Sequence, residues 1–380
     1  MLLRWKLESQ SPQCSFTPFT PAAKLRLHSG PGAFCHSSAA QTKLLNKQNH
    51  YVLSGLRPTG RVHLGNYFGA IRNWVGLQDQ YRCFYFVADW HALTSDYADP
   101  SRIRASVFDA VADWLAAGLD PSRCTIFLQS EVKEHAELHL LLSMVTPLPW
   151  LERVPTFKEQ QQQLVEKDLN TYGFLGYPLL QTADIIVYRA NFVPVGEDQA
   201  SHLELSREIV RRFNNLYGPV FPEPQALFTA TPKVPGLDGR KMSKSYGNTI
   251  GLTASADEIR ALVMTMFTDP NRIRRKDPGN PDICNLFQFH RLFSTPDVIA
   301  RVDHECRTAQ IGCVDDKKLM AEIIIESLAP IRERREKIEK DPSMVWDALK
   351  AGNQIARERA AETLVNVRKA MNIQYDELMK

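Results

Sequence analysis

Between Tyr51 and about Pro235, short apolar runs alternate with helix-length amphipathic segments, and that alternation restricts the chain to a parallel sheet covered by helices on both faces. YVLSGL at 51–56, CFYFVAD at 83–89 and TIFLQS at 125–130 read as buried strands, with amphipathic helices predicted over 66–80 and 101–118. In sheets of this kind ligands bind beyond the carboxyl ends of the strands, so chemistry is expected on the loops that leave them. From about Ala254 the pattern changes. Apolar residues recur at intervals of three and four in ADEIRALVMTMF, in DDKKLMAEIIIESLAPIRERREKIEK and in the last twenty residues, which predicts a helical C-terminal domain.

The net charge of +3 hides an uneven distribution. Residues 1–50 hold Arg4, Lys6, Lys24, Arg26, Lys43 and Lys47 against Glu8 alone, leaving 40 basic and 42 acidic residues in the rest of the chain. A globally basic nucleic-acid coat is thereby excluded, and any contact with nucleic acid must come from a local patch. The acid-poor, Ser/Ala/Pro-rich N-terminal stretch ends where the first strand begins and has the composition of an organellar transit peptide, cleaved between about residues 30 and 49. The chain has no apolar run long enough to span a bilayer. An odd count of 7 cysteines in a chain of 380 residues suits a reducing compartment.

Two segments carry chemistry. SGLRPTGRVHLGNYFG, residues 54–69, follows the first strand and opens the first helix. Gly65 and Asn66 there present N–H groups at a positive helix terminus, and His63 is placed to donate to a phosphate oxygen. DGRKMSKSYGN, residues 238–248, sets Lys241 and Lys244 among small polar residues, a pattern able to neutralise a triphosphate as its charge redistributes. Either segment alone is weak, since glycines after strands are commonly turn residues and short basic runs are commonly solvated.

Together, HLGN at 63–66 and KMSKS at 241–245 resemble the two signatures of class I aminoacyl-tRNA synthetases. YPLLQTADIIVYRANFVPVGEDQ at 177–199 narrows the resemblance to the tryptophanyl branch, over essentially Tyr51 to Asn372. The implied fold class is α/β: a Rossmann-like catalytic domain over 50–253, ending in the lysine loop, and an α-helical tRNA anticodon-binding domain over 254–380, preceded by the 1–49 extension. The implied reaction is attack of the tryptophan carboxylate on ATP, giving tryptophanyl adenylate and pyrophosphate, then transfer to tRNA(Trp). It needs Mg2+ on the phosphates but no side-chain nucleophile. His63, Asn66, Lys241 and Lys244 would serve catalysis. The ATP site would add Arg57, Pro58, Thr59 and Gly65 from the first segment, Gly196, Glu197 and Asp198 directly after a buried strand, and Val234, Met242, Ser243 and Ser245 around the lysines. Arg57 stands where many relatives have Gln and would bring a further cation towards ATP, as in a bacterial subgroup with SGMRPTG.

An indole offers one N–H donor and no acceptor, so a buried carboxylate in an apolar pocket can select it. Asp184, between apolar neighbours, is the candidate. By resemblance Tyr177, His91, Gln199 and Gly55 complete the tryptophan pocket, with Val195 packed against the ring. Ala183 before Asp184 argues against a tyrosine enzyme, which would need a phenol partner there, and the intact HLGN and both lysines argue against a catalytically silent tRNA-binding paralogue. A nucleotidylyltransferase with a similar first motif would leave the helical tail unexplained. Some members of the resembling subgroup bind a [4Fe–4S] cluster through four cysteines. Cys284, Cys306 and Cys313 match three of those positions, but the fourth is Asp316, so a vestigial set is expected rather than a cluster. Arg272, Arg274, Arg275 and Lys276 form a basic run able to meet tRNA phosphates. The resemblance also implies a homodimer in a mitochondrion or plastid.

Overall fold

The computed structural model describes residues 49–154, 169–196, 200–228, 234–375 and 379. The expected transit segment, the Gln run at 160–163, and Glu197, Asp198 and Gln199 lie outside the described residues.

Five parallel strands form one sheet: β1 (Tyr51–Leu56), β2 (Arg82–Val87), β3 (Thr125–Leu128), β4 (Phe192–Val195) and β5 (Gln225–Phe228), in the order β3-β2-β1-β4-β5. The order reverses direction between β1 and β4, the place where doubly wound sheets open a crevice at their carboxyl ends. Strand β1 falls on the residues expected from YVLSGL, and β2 and β3 fall within a residue or two of their predicted bounds.

Side chains alternate across the sheet as strand geometry demands. Val52, Cys83, Tyr85 and Val87 enter one core with Trp74 and Trp114, while Leu53, Phe84, Phe86 and Phe127 enter the other. Trp74 stacks on Tyr85 at 4.6 Å and meets Trp114 edge-on at 5.2 Å. The predicted helix over 66–80 begins as α1 (Leu64–Asn66), widens into a π-helical turn at Tyr67–Ile71 and continues as α2 (Arg72–Leu77). Next come α3 (Asp89–Asp96) and α4 (Ile103–Ala117), the second predicted helix, which ends on Gly118 at φ 114°, the left-handed turn that favours glycine. On the other face lie α5 (Glu134–Ser143), α6 (Leu148–Glu152), α7 (Tyr172–Leu175), α8 (Tyr177–Val187) and α9 (Ala200–Tyr217).

The C-terminal region is helical: α10 (Ala256–Met264), α11 (Asn285–Phe293), α12 (Pro296–Arg307), α13 (Cys313–Lys340) and α14 (Ser343–Ala370). Helix α10 starts at a capping box, with Ser255 Oγ accepting the Glu258 N–H at 3.2 Å and Glu258 Oε2 accepting the Ser255 N–H at 2.8 Å. These helices continue the cores of the sheet: Ile324, Leu328 and Leu349 join one, and Ala356, Leu364 and Val367 the other. Helix α14 closes the edge strand β3, where Asn353 Oδ1 accepts the Leu128 N–H at 2.9 Å. Gly352 lies so close to the Ile126 carbonyl that any side chain would collide with it.

Candidate active site

Strand β1 leads through a turn with Gly60 at φ 87° into α1, and the backbone of this turn is stitched to the chain that follows the lysine loop. Leu64 N–H donates to Ile250 O at 3.0 Å, Leu252 N–H donates to Val62 O at 2.8 Å, and His63 bridges Gly251. The two signatures are therefore one site. Lys244 Nζ donates to Thr59 O at 2.6 Å, and the Gly65 N–H points to Met242 Sδ at 3.3 Å. A Cβ on Gly65 would stand 2.9 Å from the His63 ring, so a side chain there would displace the imidazole beside it. Pro58 is buried beside the exposed Thr59, and Asn66 is half-buried on the short helix.

His63 is 8% exposed, and its Nδ1 has no hydrogen-bond partner. Burial, helped by the Lys244 charge, pushes its pKa down to about 4, so the resting imidazole is neutral at physiological pH. The Lys244 ammonium is also drawn below its ordinary value by desolvation, against the opposing pull of Asp113 and Asp109.

The lysine loop is shaped by Asn248, which is buried. Its Oδ1 accepts the Ser243 N–H at 2.8 Å, and its Nδ2 donates to Asp238 Oδ1 at 2.7 Å and Lys241 O at 3.2 Å. Lys241 pairs its backbone with Pro235, the buried Val234 accepts the Met242 N–H at 3.3 Å, and Ser243 and Ser245 share a hydroxyl contact at 2.8 Å. Arg57 is not loose beside this loop. Its guanidinium contacts Ser95 Oγ and pairs with Asp96 at 3.5 Å, which sets part of the expected extra cation against an acid on α3.

Beyond the crevice, Asp184 on α8 is 1% exposed and surrounded by donors. His91 Nε2 meets Oδ2 at 2.7 Å, while His135 Nδ1 and Gln129 Nε2 meet Oδ1 at 2.6 and 2.7 Å. Burial opposes ionisation here, but the hydrogen bonds from His135 and His91 overcome it and hold the carboxyl well below the usual carboxylate range. The Tyr188 hydroxyl continues the chain at 2.6 Å from His135 Nε2, so both ring nitrogens of His135 are engaged. A carboxylate has about four lone-pair sites, and three are filled, so one on Oδ2 is left for a ligand donor. Gln129 Oε1 is a second buried acceptor without a partner.

Of the sequence-predicted pocket residues, His91 is brought directly to Asp184. Tyr177 opens the same helix, its ring 5.8 Å from His202, and Val195 and Gly196 lie at the carboxyl end of β4. Gly55 has a packing reason of its own, since a Cβ there would stand 2.5 Å from the Phe86 ring. Gln129, His135 and Tyr188 were missed. Gln129 had a signal, since it directly follows β3 at its carboxyl end; His135 had none, and Tyr188 only its spacing of four from Asp184 on the helix.

The three cysteines converge, but with a cation among them: Arg272 Nη1 lies 3.9 Å from both Cys306 Sγ and Cys313 Sγ. Arg272 Nη2 donates to Arg275 O at 2.8 Å and Ile311 O at 2.7 Å. Asp316 is turned to His290 Nε2 at 2.9 Å, and burial above all pushes the Cys306 thiol up to about 11. A guanidinium between the Cys306 and Cys313 thiols, with the fourth position engaged elsewhere, does not fit a four-thiolate [4Fe–4S] cradle. The same geometry removes Arg272 from the basic run expected to meet phosphate, and Arg275 pairs with Asp315 at 3.3 Å.

The class I tRNA synthetase (W and Y) family model matches residues 45–329. The chain is 53% identical to a tryptophan–tRNA ligase of Thermotoga maritima, over 85% of this chain and 99% of the relative, and 43% identical to one of Aquifex aeolicus over the same shares. A Campylobacter jejuni tryptophanyl-tRNA synthetase crystallised with ADP and tryptophan superposes with a TM-score of 0.78 at 32% identity, covering 85% of this chain and 99% of that one.

Proposed function

Since the chain belongs to the class I tRNA synthetases of the tryptophan and tyrosine type, and its activity is tryptophan–tRNA ligation, we propose how its residues perform that reaction. ATP lies over the turn from Thr59 to Gly65, where Lys244 and His63 meet the phosphates and Lys241 adds charge from the same loop. Mg2+ bound to the triphosphate would share the phosphate charge there. The indole N–H of tryptophan donates to the open lone pair of Asp184, with Gln129 Oε1 within the same pocket. A carboxylate oxygen of tryptophan attacks the α-phosphorus, the bond to the leaving pyrophosphate breaks, and the adenylate is then passed to the terminal ribose of tRNA(Trp). The observation that carries this reading is the Lys244–Thr59 hydrogen bond, which places the second signature against the first.

The test is tryptophan-dependent exchange of pyrophosphate into ATP by the chain from residue 49, set against tyrosine and against Asp184→Ala. Exchange with tryptophan alone, lost in the variant, supports the reading; exchange with tyrosine overturns the pocket.

Three finer readings are proposals of the same kind. Arg274, Arg275 and Lys276 contact tRNA phosphates, supported by their exposure ahead of α11. Two copies associate through the exposed apolar side chains Leu140, Met144, Leu148 and Tyr172, which is testable by sedimentation. The extension over 1–49 directs the protein to a mitochondrion or plastid, supported by its acid-poor composition and by the family match beginning at residue 45. Fusion of 1–49 to a fluorescent protein would test it. Among the described residues no helix is long and apolar enough to cross a membrane.

A further inference from the structure

We propose that Asp113, clamped by Arg335, is a positioning residue that fixes the two residues ahead of His63 and so couples the long C-terminal helix α13 to the nucleotide site. The proposal rests on the reading of the His63 turn as the ATP site.

Asp113 is fully buried on α4. Its Oδ2 accepts the Val62 N–H at 2.7 Å, immediately before His63, and its Oδ1 accepts from Arg335 Nη1 at 2.6 Å. Arg335, 3% exposed on α13, also donates to Asp109 Oδ1 at 2.8 Å and to Glu339 Oε1 at 2.9 Å. Glu339 Oε1 in turn accepts from Arg61 Nη2 at 3.2 Å. The network thus leaves Arg61, runs through α13 and α4, and returns to Val62. Its acids also face Lys244, whose charge Asp113 and Asp109 stabilise.

A buried carboxylate bound by one guanidinium, one backbone N–H and, at 3.5 Å, the Thr253 hydroxyl is expensive to desolvate, and hydrophobic packing would hold two helices together at least as well. What packing cannot supply is a directional acceptor for the N–H beside the catalytic imidazole, together with a negative charge near Lys244. The reacting phosphates would feel both through His63 and Lys244, whereas the tryptophan pocket around Asp184 would feel neither.

The experiment is steady-state ATP–pyrophosphate exchange on Asp113→Asn, Arg335→Met and Arg335→Lys, run well below the melting temperature of each. Asp113→Asn and Arg335→Met are expected to lower kcat at least tenfold with KM for tryptophan within twofold of wild type, and Arg335→Lys, which keeps a cation facing Asp113, to recover most of the loss. A lowered Tm with unchanged kcat would reduce the pair to a structural contact and overturn the proposal, as would a rise in KM for tryptophan in step with the fall in kcat. The wild-type chain assayed alongside keeps the two readings apart: without exchange by wild type, the assignment of the ATP site itself falls.

Discussion

Lys244 Nζ and the Thr59 carbonyl, 185 residues apart in the chain, are joined by a hydrogen bond of 2.6 Å. In the resting protein the lysine thus lies against backbone over which the phosphates are proposed to bind, and ATP would exchange a neutral acceptor for an anionic one. A charge-assisted bond made most strongly in the transition state acts on rate more than on affinity. Lys244→Ala is accordingly expected to slow ATP–pyrophosphate exchange by about a hundredfold to a thousandfold, the range for removal of one such donor, with KM for tryptophan little changed. A loss confined to KM for ATP would mean that the lysine binds ground and transition states alike.

The donors around Asp184 make a different prediction. Asp184→Asn keeps the shape but turns an amide N–H₂ towards His91, His135 or Gln129, so it should raise KM for tryptophan about a hundredfold, the worth of one hydrogen bond to a buried charge. Tyr188→Phe removes only the hydroxyl behind His135 and should shift KM by less than about fivefold. Equal effects from the two variants would show that the carboxylate acts through general packing.

The sheet and the two signatures were legible because each rests on a local rule: apolar runs for buried strands, glycine and lysine spacing for a phosphate loop. Strand β5, QALF, escaped because four residues bounded by Pro224 and a polar stretch carry too little pattern. The donors of Asp184 escaped for another reason. Gln129, His135 and Asp184 come from three separate segments, and only the crossover of the parallel sheet brings them together. Arg272 shows the limit most plainly: as sequence it is one more member of a basic run, and only the fold turns it inward to Cys306 and Cys313.

That inward turn has a measurable consequence. With two backbone carbonyls and two thiols on one guanidinium, the segment joining α12 and α13 is held by Arg272. Arg272→Met should lower the urea-unfolding free energy by about 2 kcal/mol, the value of charge-assisted hydrogen bonds lost from a partly buried site. Incubation of wild type with an iron chelator should leave it unchanged. A chelator effect as large as that of the substitution would mean that metal, not the guanidinium, braces these cysteines.

His63 ties stability to pH, and the sign follows from its pKa. The imidazole titrates at about 4 in the folded chain because burial and Lys244 disfavour the cation, against about 6.5 when unfolded. Between those values the unfolded state binds more protons, so stability falls as the pH falls from 6.5 towards 4 and is not further reduced by this group below that. On going from pH 7 to pH 5 the His63 contribution amounts to about 2 kcal/mol, since each tenfold difference in proton affinity is worth about 1.4 kcal/mol and the full difference is not reached until the pH falls below 4. His63→Gln keeps a polar side chain without a titrating group, so the difference between wild-type and variant unfolding free energies should change by about that amount between the two pH values. Parallel pH profiles would mean that His63 protonates as easily folded as unfolded, and would remove the neutral imidazole from the proposed phosphate site.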